Sequence, residues 1–443
     1  EAGVYGVVHN GYWQAKLYYY DSERGLPGAI VKNIWQNGER QGDKNFFLQA
    51  TFVKDVTPKY KLQLNGKFAY DYTHYLSRDT VQFLQENVTK KMQFDNTYYQ
   101  QDWYLSAVNM YSILPVWDVS LSVDFQYNKL NAVMRGVGTP FTFPQRYTTW
   151  AALATALNLG KWKLQADVLG TFVIEKVRNN VEAPDKSEFS PALIVGYKPF
   201  SNQDLNLRAF YKRIFRLPTF NDLYYAQIGF SQLNPEFTNQ FNIGGSYQKT
   251  FKTGMIDRIA LQMDVYYAAI TDKIIAAPTG SSFRWMMTNM GKVESKGVDV
   301  STAVSGHVGL LKLHTNLAYS FTKAQDFTKI NGKKLSSYGD QIPYTPWHSG
   351  SVIAGAEYGT WALNDSFIYV GERYNGAVNN IPRNYVEPWY THDFSLQKEF
   401  RIRSRYLLKA SVEMNNALNQ NYDVVLNYPM PGRNFRFVIG FSL

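Results

Sequence analysis

The stretch "DYTHYLSRD" (71–79) brings an acid, an imidazole and a hydroxyl close together in Asp71, His74 and Ser77. A Ser–His–Asp arrangement would make a hydrolase, provided the three side chains reach one another. The flanking residues alternate as a strand does, and successive strand side chains point to opposite faces. Asp71 and Ser77 share a parity and His74 has the other, so no triad forms and no catalytic residue is assigned. G-x-S-x-G, H-E-x-x-H and Walker sequences are absent. The six histidines, His9, His74, His307, His314, His348 and His392, are not paired at ligand spacing, and cysteine is absent. These features exclude thiolate sites and disulfides and lead to no expected metal or cofactor.

The elements around these residues are unusually uniform. In "LKLHTNLAYSF" (311–321), Leu311, Leu313, Leu317, Tyr319 and Phe321 fall on one parity, opposite Lys312, His314, Asn316 and Ser320. In "YKLQLNGKFAY" (60–70), Leu62, Leu64 and Phe68 oppose Lys61, Gln63 and Lys67. In "RIALQMDVYYAAI" (258–270), Leu261, Met263 and Val265 oppose Gln262 and Asp264. Helical periodicity is missing from every long segment.

Marking these runs gives about 18 strands, the first spanning 3–20 and the last 434–443. Short connections such as 54–59, 115–116, 160–161, 201–204, 359–360 and 403–405 take turns with long ones at 21–45, 78–95, 134–145, 218–234, 327–346 and 424–433. Tight turns on one rim and long loops on the other characterise an outer-membrane barrel, whose strands are apolar toward lipid and polar toward the lumen. The expected fold is therefore all-β: a transmembrane antiparallel barrel. Lys61, Lys67, Gln262, Asp264, Lys312, His314 and Asn316 are its expected lumen-lining residues. The alternative is a passive porin-type channel of about 18 strands.

Composition agrees. Tyr (33), Phe (28) and Trp (10) suit aromatic girdles, as in "YWQAKLYYY" (12–20) and "NTYYQQDWY" (96–104). No run of 18 apolar residues could form a spanning helix. The net charge of +10 is scattered, with no basic helix or RNA-binding motif, so nucleic acid is not an expected partner.

"YKRIFRLPTFNDLYY" (211–225) resembles the strand-to-loop segment of TonB-dependent outer-membrane receptors, with Phe215, Arg216, Leu217 and Pro218 followed by Asn221, Asp222, Leu223 and Tyr224. "LNPEFTNQFNIGGSY" (233–247), "TNMGKVESKGVDVS" (288–301) and "NNALNQNYDVVLNYPMPGRNFRF" (415–437) are similar to three further segments of that family, in the same order. The style of "FNDLYY" and "YPMPGR" looks like Bacteroidetes-type receptors, nearest the cobalamin branch.

The resemblance implies a barrel of about 22 strands around a plug. Residues 1–443 then form a barrel truncated at its N-terminus, with the plug outside this sequence. Leu443 stands where the family usually has an aromatic. The resemblance also implies import rather than catalysis, at the outer membrane of a Gram-negative bacterium. Its expected partners are TonB acting through the plug, a small-molecule ligand, and the lipid and lipopolysaccharide of that membrane. A surface lipoprotein is a further candidate partner that no residue here marks.

Haem receptors of the family carry a His between the two segments, and 219–233 holds none. The loops "NGKKLSSYGDQIPYTP" (331–346) and "YNGAVNNIPRNY" (374–385) mix polar and aromatic residues, but it is chiefly the resemblance of "FNDLYY" to the cobalamin branch that implies a corrinoid over a ferric siderophore or haem. The expected ligand contacts are Asn221, Asp222, Tyr224, Tyr225, Tyr338 and Arg383.

Overall fold

The computed structural model describes residues 1–442 apart from 27–29, 32–33, 36–38, 86–87, 136–140, 180–181, 226–228, 280–283 and 403–405, with the backbone alone at 31, 34–35, 78–85, 88–93, 278–279, 284–285 and 402. Leu443 and the expected turn at 403–405 lie outside the described residues. Nineteen described strands carry long antiparallel ladders, and four two-stranded ribbons decorate the connections. Contacts divide the chain into two units. The first holds Glu1–Ile194, Lys212–Phe237 and Ile274–Asn289, and the second holds Val195–Tyr211, Thr238–Lys273 and Met290–Leu443.

In the first unit a meander runs through β1 (Ala2–Val8), β2 (Gly11–Gly25), β3 (Glu39–Thr57), β4 (Tyr60–Gln85), β5 (Val88–Leu114), β6 (Trp117–Arg135), β7 (Gln145–Leu159) and β8 (Trp162–Lys176). Each pairs with the next in sequence. Five strands have residues in both units: β9 (Lys186–Tyr197), β10 (Asp204–Arg216), β11 (Glu236–Thr250), β12 (Ile256–Thr279) and β13 (Arg284–Val308). In the second unit β13 leads into a meander of β14 (Leu311–Asp326), β15 (His348–Tyr358), β16 (Trp361–Val370), β17 (Trp389–Ile402), β18 (Tyr406–Asn415) and β19 (Asn434–Ser442).

The apolar parity is the uncovered one. Across β3 to β6, Ala50, Gly66, Leu105 and Phe125 stand in one cross-strand row, with Leu105 64% exposed. Across β15 to β19 the row is Ala356, Leu363, Leu396, Val412 and Phe437, with Phe437 75% exposed. Such continuous apolar rows suit hydrocarbon and not water.

The structure differs from the sequence reading in several places. Of the expected loop 21–45, β2 runs on to Gly25 and β3 begins at Glu39. The expected single strand 3–20 is the hairpin β1–β2, where Asn10 turns the chain at φ 56°. The expected loop 78–95 is strand up to Gln85 and again from Val88. The strands expected over 361–375, 385–402 and 407–423 are shorter. β16 stops before Gly371, β17 starts after Pro388, which has no N–H for the ladder, and β18 stops where Asn416 adopts φ 47°. The expected loop 218–234 contains a short helix, α1 (Phe220–Tyr224).

The exposed parity makes a direct prediction. Leu105→Arg should destabilise the protein by about 2–4 kcal/mol in reversible urea unfolding from phospholipid vesicles. Lys61→Gln, on the opposite parity, should change it by under about 0.5 kcal/mol. Equal effects would refute the assignment of faces.

Candidate functional site

The most elaborate interior construction surrounds α1, in the first unit. Pro218 is buried at the end of β10, and Thr219 caps the helix. The Asp222 N–H donates to Thr219 Oγ1 (3.2 Å), while Asp222 Oδ2 accepts from the Thr219 N–H (2.9 Å). This reciprocal capping box satisfies two otherwise orphaned donors. It sets α1 against the polar faces of β5 to β8.

Arg146 on β7 is the anchor. Its Nε and Nη2 donate to Glu175 Oε1 at 3.0 and 2.6 Å, and its Nη1 donates to the Pro218 carbonyl at 2.9 Å. Its guanidinium also lies 5.0 Å from the centre of the Phe220 ring. Both partners of the ion pair are nearly buried, with side-chain exposures of 10% and 5%. Glu175 Oε2 is buried without a hydrogen-bond partner.

Phe220 packs with Tyr98, Leu130, Ala132 and Phe141. Leu223 packs with Leu233, Ile274 and Met287. Tyr225 stacks on Tyr98 with ring centres 4.2 Å apart. Burial pushes the phenols of Tyr224 and Tyr225 up to about 12.

The family-like segments meet here and hold each other. Arg216 lies 3.7 Å from Asp222 and 3.4 Å from Glu236, and Glu236 accepts the Ile274 N–H at 2.9 Å. The Asn234 N–H donates to Asn289 Oδ1 (2.8 Å), and Asn289 Nδ2 donates back to the Asn234 carbonyl (3.1 Å). In the second unit, a Cβ at Gly297 would collide with the Tyr266 ring, whose hydroxyl lies 3.1 Å from Thr322 Oγ1. Asn416 Nδ2 donates to the carbonyls of Gln420 (2.8 Å) and Pro431 (3.2 Å), and Asn419 Oδ1 accepts the Arg433 N–H (2.9 Å).

The expected ligand contacts therefore separate by role. Asp222 is used in the cap, and Tyr224 and Tyr225 are packed. Asn221 is exposed and lines a cavity of about 280 Å³ with Gln100, Asn128, Arg146, Thr219 and Phe220. Gln100, Asn128 and Arg146 are the members that sequence reasoning missed. Tyr338 and Arg383 belong to the second unit, in long connections. Tyr338 packs edge-on to Phe327 under the ammonium of Lys334, 4.4 Å from its ring centre, and Arg383 is exposed in the turn Pro382–Asn384.

The expected lumen residues all lie on polar parities. Lys67 sits 5.0 Å from the Phe47 ring centre, and Lys61 opposes Asp55. Asp264 accepts from Arg208 Nη2 (2.6 Å) and Gln262 (2.9 Å). Lys312 and Asn316 are exposed, and half-buried His314 faces Gly355, where no Cβ would fit. Asp71, His74 and Ser77 are not joined: Asn45 binds Asp71 (2.6 Å), His74 lies 2.7 Å from Asp95, and Ser77 is buried. Among the described residues, no three His, Cys, Asp or Glu side chains gather in a metal-binding group.

Residues 3–417 match the family described as TonB dependent receptor-like, beta-barrel. The chain belongs to that family. Its members are outer-membrane receptors and transporters, not enzymes. Among solved structures it is similar to the unliganded ferric citrate transporter FecA (14% identity, TM-score 0.73), covering 97% of this chain and 67% of that one. It is also similar to BauA, the ferric preacinetobactin receptor from Acinetobacter baumannii (12%, TM-score 0.72), covering 99% of this chain and 71% of that one. The copper transporter OprC is a third (15%, TM-score 0.73), covering 98% of this chain and 69% of that one. At these identities the likeness concerns the fold.

Two outcomes follow from this geometry. Arg146→Met strands a buried carboxylate, so it should lower unfolding free energy by about 3–5 kcal/mol, read from the urea midpoint. The second concerns the tyrosines. A free phenol loses its proton near pH 10, whereas Tyr224 and Tyr225 hold theirs to about 12. Their contribution to stability is therefore complete below about pH 10 and is lost as pH rises to about 12. An ultraviolet difference titration of the protein against Tyr225→Phe should show the missing phenol titrating in that late window.

Proposed function

We propose that residues 1–443 are the barrel of an energised receptor that imports a scarce, large nutrient, in first place a corrinoid, across the outer membrane of a Bacteroidetes-type bacterium. TonB, acting through a plug, is the partner the family implies. The observation that carries the ligand reading is the electrostatic character of the α1 cavity. Its cation, Arg146, is already neutralised by Glu175, and its amides are those of Asn221, Gln100 and Asn128, the last two donating to Asp102 and keeping their carbonyl oxygens. A corrinoid has an amide-rich rim that such groups match. Anionic iron chelates call instead for uncompensated positive charge. The cavity holds an edge of such a ligand, not its ring. Tyr338 and Arg383 are proposed contacts on loops of the second unit. Lys61, Lys67, Gln262, Asp264, Lys312, His314 and Asn316 are proposed to wet the passage, and Asp222, Tyr224 and Tyr225 to hold Asn221 in place.

The test uses the protein purified from its own outer membrane, titrated with cyanocobalamin and with ferric citrate. Saturable cyanocobalamin binding is expected, weakened about tenfold in Asn221→Leu for the loss of one hydrogen bond. Binding of ferric citrate alone would overturn the corrinoid assignment. Uptake that survives collapse of the inner-membrane proton gradient would overturn the energised receptor and favour the passive channel.

A further inference from the structure

The apolar parity of the second unit carries an ion pair where only hydrocarbon is expected. β16 has 10 residues, the length of a tilted strand that spans a bilayer core. Its exposed aromatics Trp361 and Tyr369 stand near the two ends of that parity, as interfacial girdles do. Asp365 is on the same parity, midway between them. Its cross-strand row is Thr315, Ala354, Asp365, Phe394, Met414 and Phe435, otherwise apolar but for Thr315.

His392 on β17 stands in the next row of this face, opposite Phe367. Its Nδ1 lies 3.2 and 3.3 Å from the two Asp365 oxygens. The imidazole centre is 4.8 Å from the Phe367 ring centre and 6.1 Å from that of Phe394, nearly parallel to the latter. The rings flank the pair without covering it: His392 and Asp365 keep side-chain exposures of 30% and 32%. Among the described residues neither group has another hydrogen-bond partner, so His392 Nε2 and the remaining carboxylate lone pairs are unused.

Ionisable groups at this depth are expensive and call for a partner. Acyl tails carry no polar atom there, and water is excluded. The partner must therefore be a protein that brings a donor and an acceptor to the same level of the bilayer. A second copy of this chain, inserted in the same direction, does so automatically, because its own pair lies at the same depth. We infer that this face is where two copies associate about a two-fold axis along the membrane normal. In such an isologous contact each His392 meets the partner's Asp365. A protonated imidazole donates through both nitrogens, Nδ1–H to its own Asp365 and Nε2–H to the partner's Asp365. Two carboxylates and two imidazoles then close a ring in which every charge is compensated. Gly350, Ala354 and Ala356 on β15 keep the adjoining surface low enough for close approach.

Exchanging the two groups gives a direct test. The chain has no cysteine, so Lys333→Cys in the exposed ribbon Lys333–Lys334 accepts a single dye. Full protein labelled with donor or acceptor is reconstituted in phosphatidylcholine vesicles and diluted with lipid. Energy transfer reads association, and heat-modified electrophoretic migration verifies folding. Chains with the native pair should associate, with two dyes per particle by photobleaching steps. Asp365→His and His392→Asp, each alone, set like groups against each other and should weaken self-association about tenfold. Mixed together, these two variants should associate as the native pair does, because the carboxylates of one meet the imidazoles of the other. Asp365→Leu combined with His392→Leu makes the face wholly apolar; it should fold and be weakened by a similar factor. If a charged variant does not fold, the double Leu variant decides. The inference is overturned if native-pair chains stay monomeric at every dilution, or if the double Leu variant associates as strongly as they do. It is also overturned if mixing the two folded charged variants restores nothing.

Discussion

The rest of the molecule follows from one constraint: inside hydrocarbon every peptide N–H and C=O must find a protein partner. No water can stand in, and each unpaired group costs several kcal/mol. Strands paired in sequence order meet that demand with the shortest connections, which explains why β1 to β8 and β13 to β19 each form a plain meander. Once the backbone is committed to pairing, side chains have only two directions. One direction meets lipid, and its composition is set by solvation alone. The other is free to hold ions, amides and helices.

Much of this was legible in the residues because it depends on parity, which is local. The exposed row through Leu105 and the polar row through Lys67 can be separated by reading every second letter. The hairpin β1–β2 escaped for the same reason. "AGVYGVV" is apolar on both parities, so there was no phase whose break could mark a turn. The signal present was Asn10, a residue type that tolerates the positive φ it adopts in the two-residue turn with His9. Where β16 and β18 stop and where β17 starts was also decided locally, at Gly371, Asn416 and Pro388, but their effect on strand length could not compete with the continuing alternation.

The interior of the site was legible only in part. The segments around Phe215, Asn234, Asn289 and Asn416 stood out as unusual, yet their role as fasteners depends on which strands they face. Arg146 and Glu175 show the limit. They lie 29 residues apart and look like ordinary charges on wet faces. They oppose one another because each stands the same number of positions from the turn at 160–161, so the register of one hairpin would have exposed the pair. The third partner, the Pro218 carbonyl, is 72 residues from Arg146 and belongs to no shared hairpin. A residue pattern carries no information about that contact until the meander is wound.

The unequal lengths of the connections also bear on how such a chain reaches its place. Within the second unit, turns of two residues at one rim, Gly309–Leu310 and Gly359–Thr360, contrast with long polar connections at the other, 327–347 and 371–388. A chain arriving from the side of the short turns must carry every long connection through the bilayer, and each one brings peptide groups whose partners there are incomplete. The barrier grows with the number of such groups, so unaided entry is slow and a polar route must be opened for it. The same barrier then works in reverse. Once the long connections are outside, turning over would require all of them to recross, and the protein permanently keeps the orientation set by the side from which it entered.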